Sequence, residues 1–170
     1  MAALRTSDAK RKTPPRQAWK LRAINLYPPF LGAGIRVRRG SDGHRFEVRM
    51  KLGAFNRNFV GTHFGGSLYA MCDPFFMLIL IPALGPEYVV WDKAATIRFL
   101  RPGRGTVRAR FEIPEARIEA IRRAADEGEK VEPTFTVQVV GEDGRVVAEV
   151  EKVIYVRRRR AEEAGRQART

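Results

Sequence analysis

Two glycines and an aspartate are the residues of this sequence best suited to chemistry. Gly65 and Gly66 begin an apolar stretch, and Asp73 follows Gly66 after six residues. Glycines at a helix start let a ligand approach backbone N–H groups that have no partner within the helix, and the helix dipole favours negative charge there. The pattern therefore predicts an oxyanion site, with the Gly66 N–H as donor.

Asp73 is the candidate general base or nucleophile. About two turns into an apolar helix, its pKa is predicted to be raised, because burial disfavours a charged carboxylate. Such a group can take a proton from water or attack a carbonyl carbon, and Asn58 could orient the water or the carbonyl. Asp73 could instead be a structural acid that bonds loop backbone or pairs with Lys93 or an arginine, since a buried acid is seldom unpaired. Asn58 could equally be a loop or capping residue.

Four residues are candidates for substrate binding: His63, Phe64, Gly65 and Asp92. Three of them have a simpler alternative. The glycines could serve tight packing or a turn, and His63 could be an ordinary loop residue. Asp92 could form an ion pair with the lysine that follows it at a strand start.

Helix and strand periodicities surround these residues. The predicted elements are a helix at 17–26, strands at 34–39 and 44–52, a helix at 65–84, strands at 89–100 and 105–113, a helix at 114–127 and strands at 133–140 and 146–157. Two glycine-bounded turns predict hairpins, at 40–43 and 141–144. Proline at position 74 predicts a kink in the long helix. The order predicts an α+β fold, an antiparallel sheet of about six strands around one buried central helix.

Composition is typical of a soluble globular domain. The chain has 170 residues, of which 44% are hydrophobic and 30% charged. One cysteine, Cys72, excludes an intramolecular disulfide and a cysteine metal site, and it fits a reducing cytoplasm. The longest apolar run, at 74–84, is too short for a membrane span, and no signal peptide is visible. We expect a cytoplasmic protein with no metal and no redox cofactor.

The net charge of +13 is concentrated at the two ends. Residues 1–22 carry seven Lys or Arg against Asp8, and residues 156–170 carry six Arg against two Glu. We interpret 1–16 as a disordered basic tail, 17–156 as the folded domain and 157–170 as a second basic tail. Solvated tails are the simpler reading, and attraction to a polyanion is the alternative. No aromatic residues interleave with the terminal arginines, and nucleic acid is not an expected partner.

The segment around the glycines resembles a known family. Asn58, Gly61, Gly65, Gly66 and Asp73 match, in register, the pattern of hotdog-fold thioesterases related to the phenylacetate-pathway and medium-chain acyl-CoA enzymes. The stretch at 97–102 also resembles the strand and turn that follow the central helix in that family. Two positions differ. Phe64 stands where relatives have His, and Asp92 stands where many have the Ser or Thr that orients water.

The resemblance implies a hotdog fold and hydrolysis of the thioester of an acyl-CoA or a similar acyl carrier. It also implies a homodimer or homotetramer, because in that family the acid and the oxyanion donor of one site come from different subunits. A non-catalytic acyl-CoA-binding or regulatory protein is the alternative, and Phe64 and Asp92 are its support. Hydratase chemistry is disfavoured, because neither His44 nor His63 fits the Asp-x4-His pattern of those enzymes.

Overall fold

The structure is a computed structural model, and it describes residues 23–40 and 43–160. The predicted tail at 1–16, most of the helix predicted at 17–26 and the end of the C-terminal tail lie outside the described residues. The elements are α1 (Pro28–Ala33), β1 (Ile35–Arg39), β2 (Arg45–Lys51), α2 (Gly65–Ala70), α3 (Phe75–Leu84), β3 (Tyr88–Phe99), β4 (Thr106–Glu112), α4 (Glu115–Asp126), β5 (Thr134–Val140) and β6 (Val146–Arg158). Short 3₁₀ turns at Ile24–Leu26 and Ala54–Asn56 complete them.

The six strands form one sheet in the order β1-β2-β4-β5-β6-β3, and every neighbouring pair is antiparallel. Both predicted hairpins, β1–β2 and β5–β6, are present. β3 and β4 follow each other along the chain but are not neighbours, because β3 pairs with β6 at the sheet edge. The predicted α+β class, with the sheet packed around an apolar helix, is confirmed.

Helix α3 occupies the centre of the core. Phe75 has no exposed surface, and its ring centroid lies 5.3 Å from that of Phe46 and 4.8 Å from that of Phe111. Ile79 and Leu80 are equally inaccessible. A helix that is apolar on nearly every side has to be enclosed, and the inward side chains of the curled sheet enclose this one.

The long helix predicted at 65–84 is two helices rather than one kinked helix. α2 ends at Ala70, and α3 begins at Phe75 after a four-residue connection. Proline has no N–H to donate, and it disfavours the helical conformation of the residue before it. Pro74 therefore prevents one continuous helix from running through Asp73. Asp73 consequently lies in a connection between helices, and the prediction that it sits within a helix is wrong.

Residues 65–84 are apolar and long enough to pass a test of length and composition for a membrane span. In the fold they are two separate helices, and most side chains of α3 face the core. The segment is therefore the core element of a globular domain.

Helix α4 covers one end of α3. Ile118 and Ile121 are buried, and Arg122 is directed toward the end of α3. Its guanidinium donates hydrogen bonds to the carbonyl oxygens of Ala83 (2.6 Å) and Leu84 (2.8 Å). The last carbonyls of a helix have no partner within it, and a basic side chain can satisfy them.

The outer face of the sheet carries three arginines in one cross-strand row. Arg36 is directly opposite Arg49, and Arg49 is directly opposite Arg108. All three are exposed and, within 23–40 and 43–160, none of them forms an ion pair within 4.0 Å. This arginine row lines a groove of about 1180 Å³.

Candidate active site

Asp73 is anchored through one of its two carboxylate oxygens. Its Oδ1 accepts hydrogen bonds from the hydroxyl of Tyr69 (2.7 Å) and from Nζ of Lys152 (2.8 Å). No described residue donates to Oδ2, and 46% of the side chain is exposed. The apolar surroundings predicted for Asp73 are therefore wrong, because the carboxylate is held by polar groups and remains accessible.

Lys152 comes from the middle of β6, and its side chain has no exposed surface. It lies in the inward-facing phase of that strand, between the buried Val150 and Ile154. Its Nζ is 2.8 Å from Oδ1 of Asp73 and 3.2 Å from Oδ1 of Asp92. One buried ammonium thus faces two carboxylates, which is the pairing that a buried charge requires.

A β-bulge brings Asp92 to this position. The pairing of β3 with β6 shifts between Asp92 and Ala94, so Lys93 is the extra residue and Asp92 turns toward the core. The predicted pair of Asp92 with Lys93 is wrong, because Lys93 instead binds Glu132 at 2.6 Å. Oδ1 of Asp92 is buried, and within the described part of the chain nothing donates a hydrogen bond to it. Its contact with Lys152 is therefore an ion pair without hydrogen-bond geometry.

We name Tyr69, Asp73, Asp92 and Lys152 the buried lysine cluster. Burial raises the pKa of Asp92, and the charge of Lys152 opposes that shift in part. Burial alone would lower the pKa of Lys152, but the hydrogen bond with Asp73 and the charges of both aspartates outweigh it and raise the pKa. Burial also raises the pKa of Tyr69, and its hydrogen bond to Asp73 adds to the effect. Lys152 is therefore positively charged in the folded protein.

The two glycines begin α2 with open backbone donors. No described residue accepts a hydrogen bond from the N–H of Gly65 or Gly66, whereas the next N–H, that of Ser67, bonds to the Phe64 carbonyl. A Cβ on Gly65 would lie 2.8 Å from the ring of Phe99, and a Cβ on Gly66 would lie 2.4 Å from the ring of Phe64. A side chain at either glycine would require the neighbouring ring to move, so the glycines allow this close packing. The same two residues also carry the N–H groups without an acceptor among the described residues.

α2 has only six residues. The helix dipole predicted to support the oxyanion is correspondingly weak, since the macrodipole sums over aligned peptide units. Two adjacent N–H groups remain as the available donors.

Asn58 organises its own loop. Its Nδ2 donates to Oγ1 of Thr62 (2.9 Å) and to the carbonyl of His63 (3.3 Å). Its Oδ1 accepts from the N–H groups of Val60 (3.1 Å) and Thr62 (3.0 Å). With both ends of the amide engaged, the loop interpretation of Asn58 is favoured over a role in orienting water.

His63 is buried beside the glycines rather than open to substrate. Its Nε2 lies 3.1 Å from the carbonyl oxygen of Gly105, and its backbone N–H bonds to Gly103. Burial lowers the pKa of His63, and the bond to Gly105 opposes that shift in part. A neutral ring then donates from Nε2, which leaves Nδ1 as a buried acceptor; no described residue donates to it.

Exposed apolar side chains lie on the loop before α2 and at the end of β3, and they are Phe59, Val60, Phe64, Phe99 and Leu100. We name them the apolar rim. The rings of Phe64 and Phe99 lie against Gly66 and Gly65, respectively. Grouped apolar side chains of this size on a surface mark sites of interaction with a ligand or another chain.

Sequence reasoning missed Lys152 and Tyr69. A signal for Lys152 exists, because the inward positions of β6 run Ala148, Val150, Lys152, Ile154 and one lysine interrupts an apolar series. Tyr69 lies four residues before Asp73, a spacing that brings side chains together on one helical face. Within the described ranges, no group of three or more His, Cys, Asp or Glu is placed to hold a metal ion.

Comparison with known proteins identifies the family and the fold. A family described as a domain of unknown function, DUF4442, matches residues 16–156. No curated protein matches the sequence. Among solved structures, a Pseudomonas aeruginosa protein of unknown function, named a probable thioesterase, is similar at 23% identity with a TM-score of 0.76, over 88% of this chain and 99% of that one.

Two further structures share the architecture. A Haemophilus influenzae thioesterase is 17% identical with a TM-score of 0.63, over 87% of this chain and 94% of that one. The Escherichia coli PaaI protein from the phenylacetic acid degradation operon is 20% identical with a TM-score of 0.58, over 82% and 93%. At these identities the likeness concerns the fold, and it agrees with the antiparallel sheet around α3 and with the resemblance in the glycine segment. The chain is a hotdog-fold protein and belongs to the DUF4442 family.

Proposed function

We propose that this protein hydrolyses the thioester of an acyl-CoA or a related acyl carrier, with Asp73 as general base or nucleophile. The observation that carries the proposal is the asymmetry of the Asp73 carboxylate. Its Oδ1 is held by Tyr69 and Lys152, while Oδ2 has no donor among the described residues and the side chain is half exposed. A carboxylate with one anchored and one open oxygen is suited to a directed proton transfer or attack.

Either route balances with these groups. As a base, Asp73 Oδ2 takes a proton from water, the water oxygen bonds to the thioester carbon, and the departing thiolate receives the proton. As a nucleophile, Oδ2 bonds to that carbon, the thiolate leaves, and water hydrolyses the mixed anhydride. In both, the carbonyl oxygen gains negative charge that the open N–H of Gly66 can stabilise.

The apolar rim supports an acyl substrate. Phe64 and Phe99 are more than half exposed, and their rings lie against the glycines that carry the open N–H groups. An acyl chain placed along these rings would bury apolar surface while its carbonyl lies near Gly66.

A dimer completes the proposal. The sheet edges in the described structure are β1, which carries exposed arginines, and β3, which is twelve residues long. The middle of β3, at Ala94–Thr96, is exposed and uncharged. An exposed, uncharged stretch within a long edge strand invites pairing with another strand, and a second copy supplies it under closed symmetry. We propose that β3 pairs with β3 of the partner and brings the Asp73 of one subunit to the glycines of the other.

The protein is proposed to work in the cytoplasm, because its single cysteine, Cys72, is a free thiol and a reducing compartment keeps thiols free.

Cys72 is also buried, and burial raises its pKa to about 12. A thiol in that state is unreactive, so the only cysteine of the chain contributes no chemistry to the site.

The test is release of free thiol from a panel of acyl-CoA substrates of different acyl length. Asp73→Asn should retain the fold and lose about 10²–10⁴ of the rate if Asp73 is the base, and more if it is the nucleophile. Thermal stability measured on the same preparation separates lost chemistry from lost folding. A stable and fully active Asp73→Asn protein would exclude Asp73 from the reaction.

One observation favours the non-catalytic alternative. Phe64 occupies the position of the histidine found in relatives, and its ring lies against Gly66 rather than offering a polar group. Wild-type protein that binds acyl-CoA in calorimetry but never releases thiol would replace the hydrolase proposal with an acyl-CoA-binding or regulatory function.

A further inference from the structure

Lys152 is a buried cation with three polar partners around its ammonium group. Its ammonium donates to Asp73 Oδ1 (2.8 Å) and to the Tyr69 hydroxyl oxygen (3.3 Å), and it forms an ion pair with Asp92 at 3.2 Å. These partners come from α2, from the connection after it and from β3, while the lysine itself comes from β6. Three stretches of the chain, α2 with its following connection, β3 and β6, therefore meet at one charge.

Stability does not explain a lysine at this position. Its neighbours on the inward face of β6 are Val150 and Ile154, and an apolar residue would continue that surface. Replacing a buried ion pair by well-packed apolar residues is often neutral or stabilising. The lysine is better explained by what its charge does to Asp73.

The geometry divides the roles of the two carboxylate oxygens. Tyr69 and Lys152 both bind Oδ1, so the carboxylate cannot rotate without breaking two hydrogen bonds, one of them charge-assisted. Asp92 lies 3.2 Å from the same Nζ and attracts the ammonium from a second strand, β3. The result is a fixed direction for Oδ2.

We propose that Lys152 is the positioning residue of Asp73: held by Asp92, its ammonium binds Oδ1 and leaves Oδ2 as the oxygen that reacts. The proposal rests on the proposed thioester hydrolysis. Lys152 neither gains nor loses a proton in the reaction. The proton of the attacking water goes to Oδ2 and then to the thiolate, while the charge of Lys152 keeps Oδ1 occupied throughout.

The kinetic test compares matched substitutions. Lys152→Met keeps an unbranched side chain that is one atom shorter and removes its charge, and kcat should fall about 10²-fold, the effect of a misplaced catalytic group. KM for acyl-CoA should change little, because the apolar rim proposed to hold the acyl chain contains no residue of the buried lysine cluster. Tyr69→Phe should lower kcat by less, since a neutral hydrogen bond is weaker than a charge-assisted one.

Lys130→Met is the control, because Lys130 is an exposed lysine that lies outside both β3 and the buried lysine cluster. It should leave kcat unchanged. If Lys152→Met matches this control, or lowers kcat only in proportion to its folded fraction, Lys152 does not position Asp73.

A second variant guards against the case in which Lys152→Met fails to fold. Lys152→Met leaves Asp92 buried without a counter-charge, so the double variant Lys152→Met/Asp92→Asn removes both charges together. It should fold and still show the reduced kcat. A double variant that is folded and fully active would overturn the proposal.

A measurement independent of turnover separates this inference from the proposed function. In protein labelled with ¹⁵N-lysine and ¹³C-aspartate, a scalar coupling across the hydrogen bond should connect Lys152 Nζ with the carboxyl carbon of Asp73 and disappear in Asp73→Ala. An active wild type without the coupling would overturn the positioning role alone. A wild type with the coupling but without thiol release would overturn the proposed function, and with it the catalytic meaning of the positioning.

Discussion

The two faces of the sheet carry positive charge in different environments. On the inner face, Lys152 is fully buried and faces two carboxylates. On the outer face, the arginine row places Arg49 directly opposite both Arg36 and Arg108, and none of the three has an ion pair within the part of the chain that the structure describes. Water stabilises the exposed arginines one by one, whereas the interior offers Lys152 only the partners that the fold brings to it.

This difference concerns what the charges can be used for. In water, charges a few ångströms apart interact by about 1 kcal/mol, and salt screens them. Inside the protein the same interactions are stronger and directional, which is why an oriented carboxylate is found at the buried lysine cluster and not on the arginine row.

The largest expected effect is that of Lys152→Met on stability. Removing one partner of a buried pair leaves an uncompensated charge, here on Asp92, and typically lowers the free energy of unfolding by about 3–5 kcal/mol. We expect the lower end, because 22% of the Asp92 side chain is exposed. Arg49→Met should change that free energy by no more than about 0.5 kcal/mol. Urea denaturation of both variants measures the difference, and equal small effects would mean that burial does not separate the two faces.

The second prediction concerns the sign of the Asp92 contribution. Because burial raises the pKa of Asp92 above its ordinary 3.8, protonation stabilises the folded state below that pH, and the contribution is lost as the pH rises through the raised pKa. Asp92→Asn imitates the protonated form. Its melting temperature relative to wild type should therefore be more favourable at neutral pH than near pH 4. A difference that does not depend on pH would indicate that Asp92 is not strained by its burial.

The third prediction tests the arginine row. Arg49→Glu places an acid opposite both Arg36 and Arg108 and replaces two repulsive cross-strand pairs by attractive ones. The free energy of unfolding should rise by about 0.5–1 kcal/mol at low salt, and most of the gain should vanish at about 1 M salt. Arg38→Gln is the control, because Arg38 pairs with Glu47 and its loss should be slightly destabilising. A loss of stability in Arg49→Glu would show that the row contributes more than exposed like charges can.

The smallest effect is the titration of His63, a buried base without a counter-charge. Burial lowers the pKa of His63 below the ordinary histidine value of 6.5. The contribution of the neutral ring to stability is therefore present above pH 6.5 and is lost as the pH falls through the lowered pKa. The chain has two histidines, so an NMR titration gives two ring signals, and His44→Gln assigns them. The His63 ring should remain neutral at pH values below 6.5. A ring signal with a midpoint at or above 6.5 would contradict its burial.

Much of the fold follows from local pattern. The turns at 40–43 and 141–144 gave both hairpins, and the apolar run after Gly66 gave the central helix, because each of these features depends on residues close in sequence. The resemblance at Asn58, Gly61, Gly65, Gly66 and Asp73 led to the hotdog fold. The break before α3 was underestimated, since proline permits either a kink or an end and packing decides which.

The element order, the apolar helix and the aspartate after two glycines can be predicted from the residues in chain order. The contact of Asp73 with Lys152, 79 residues away, and the bulge that turns Asp92 toward the same ammonium exist only in the folded chain. The pairing of β3 with β6 has no local signal, because strands distant in sequence choose one another through the packing of the whole sheet. The role of a single lysine in an apolar strand can be understood only from that pairing, since a buried charge is stable only where the fold supplies its partners.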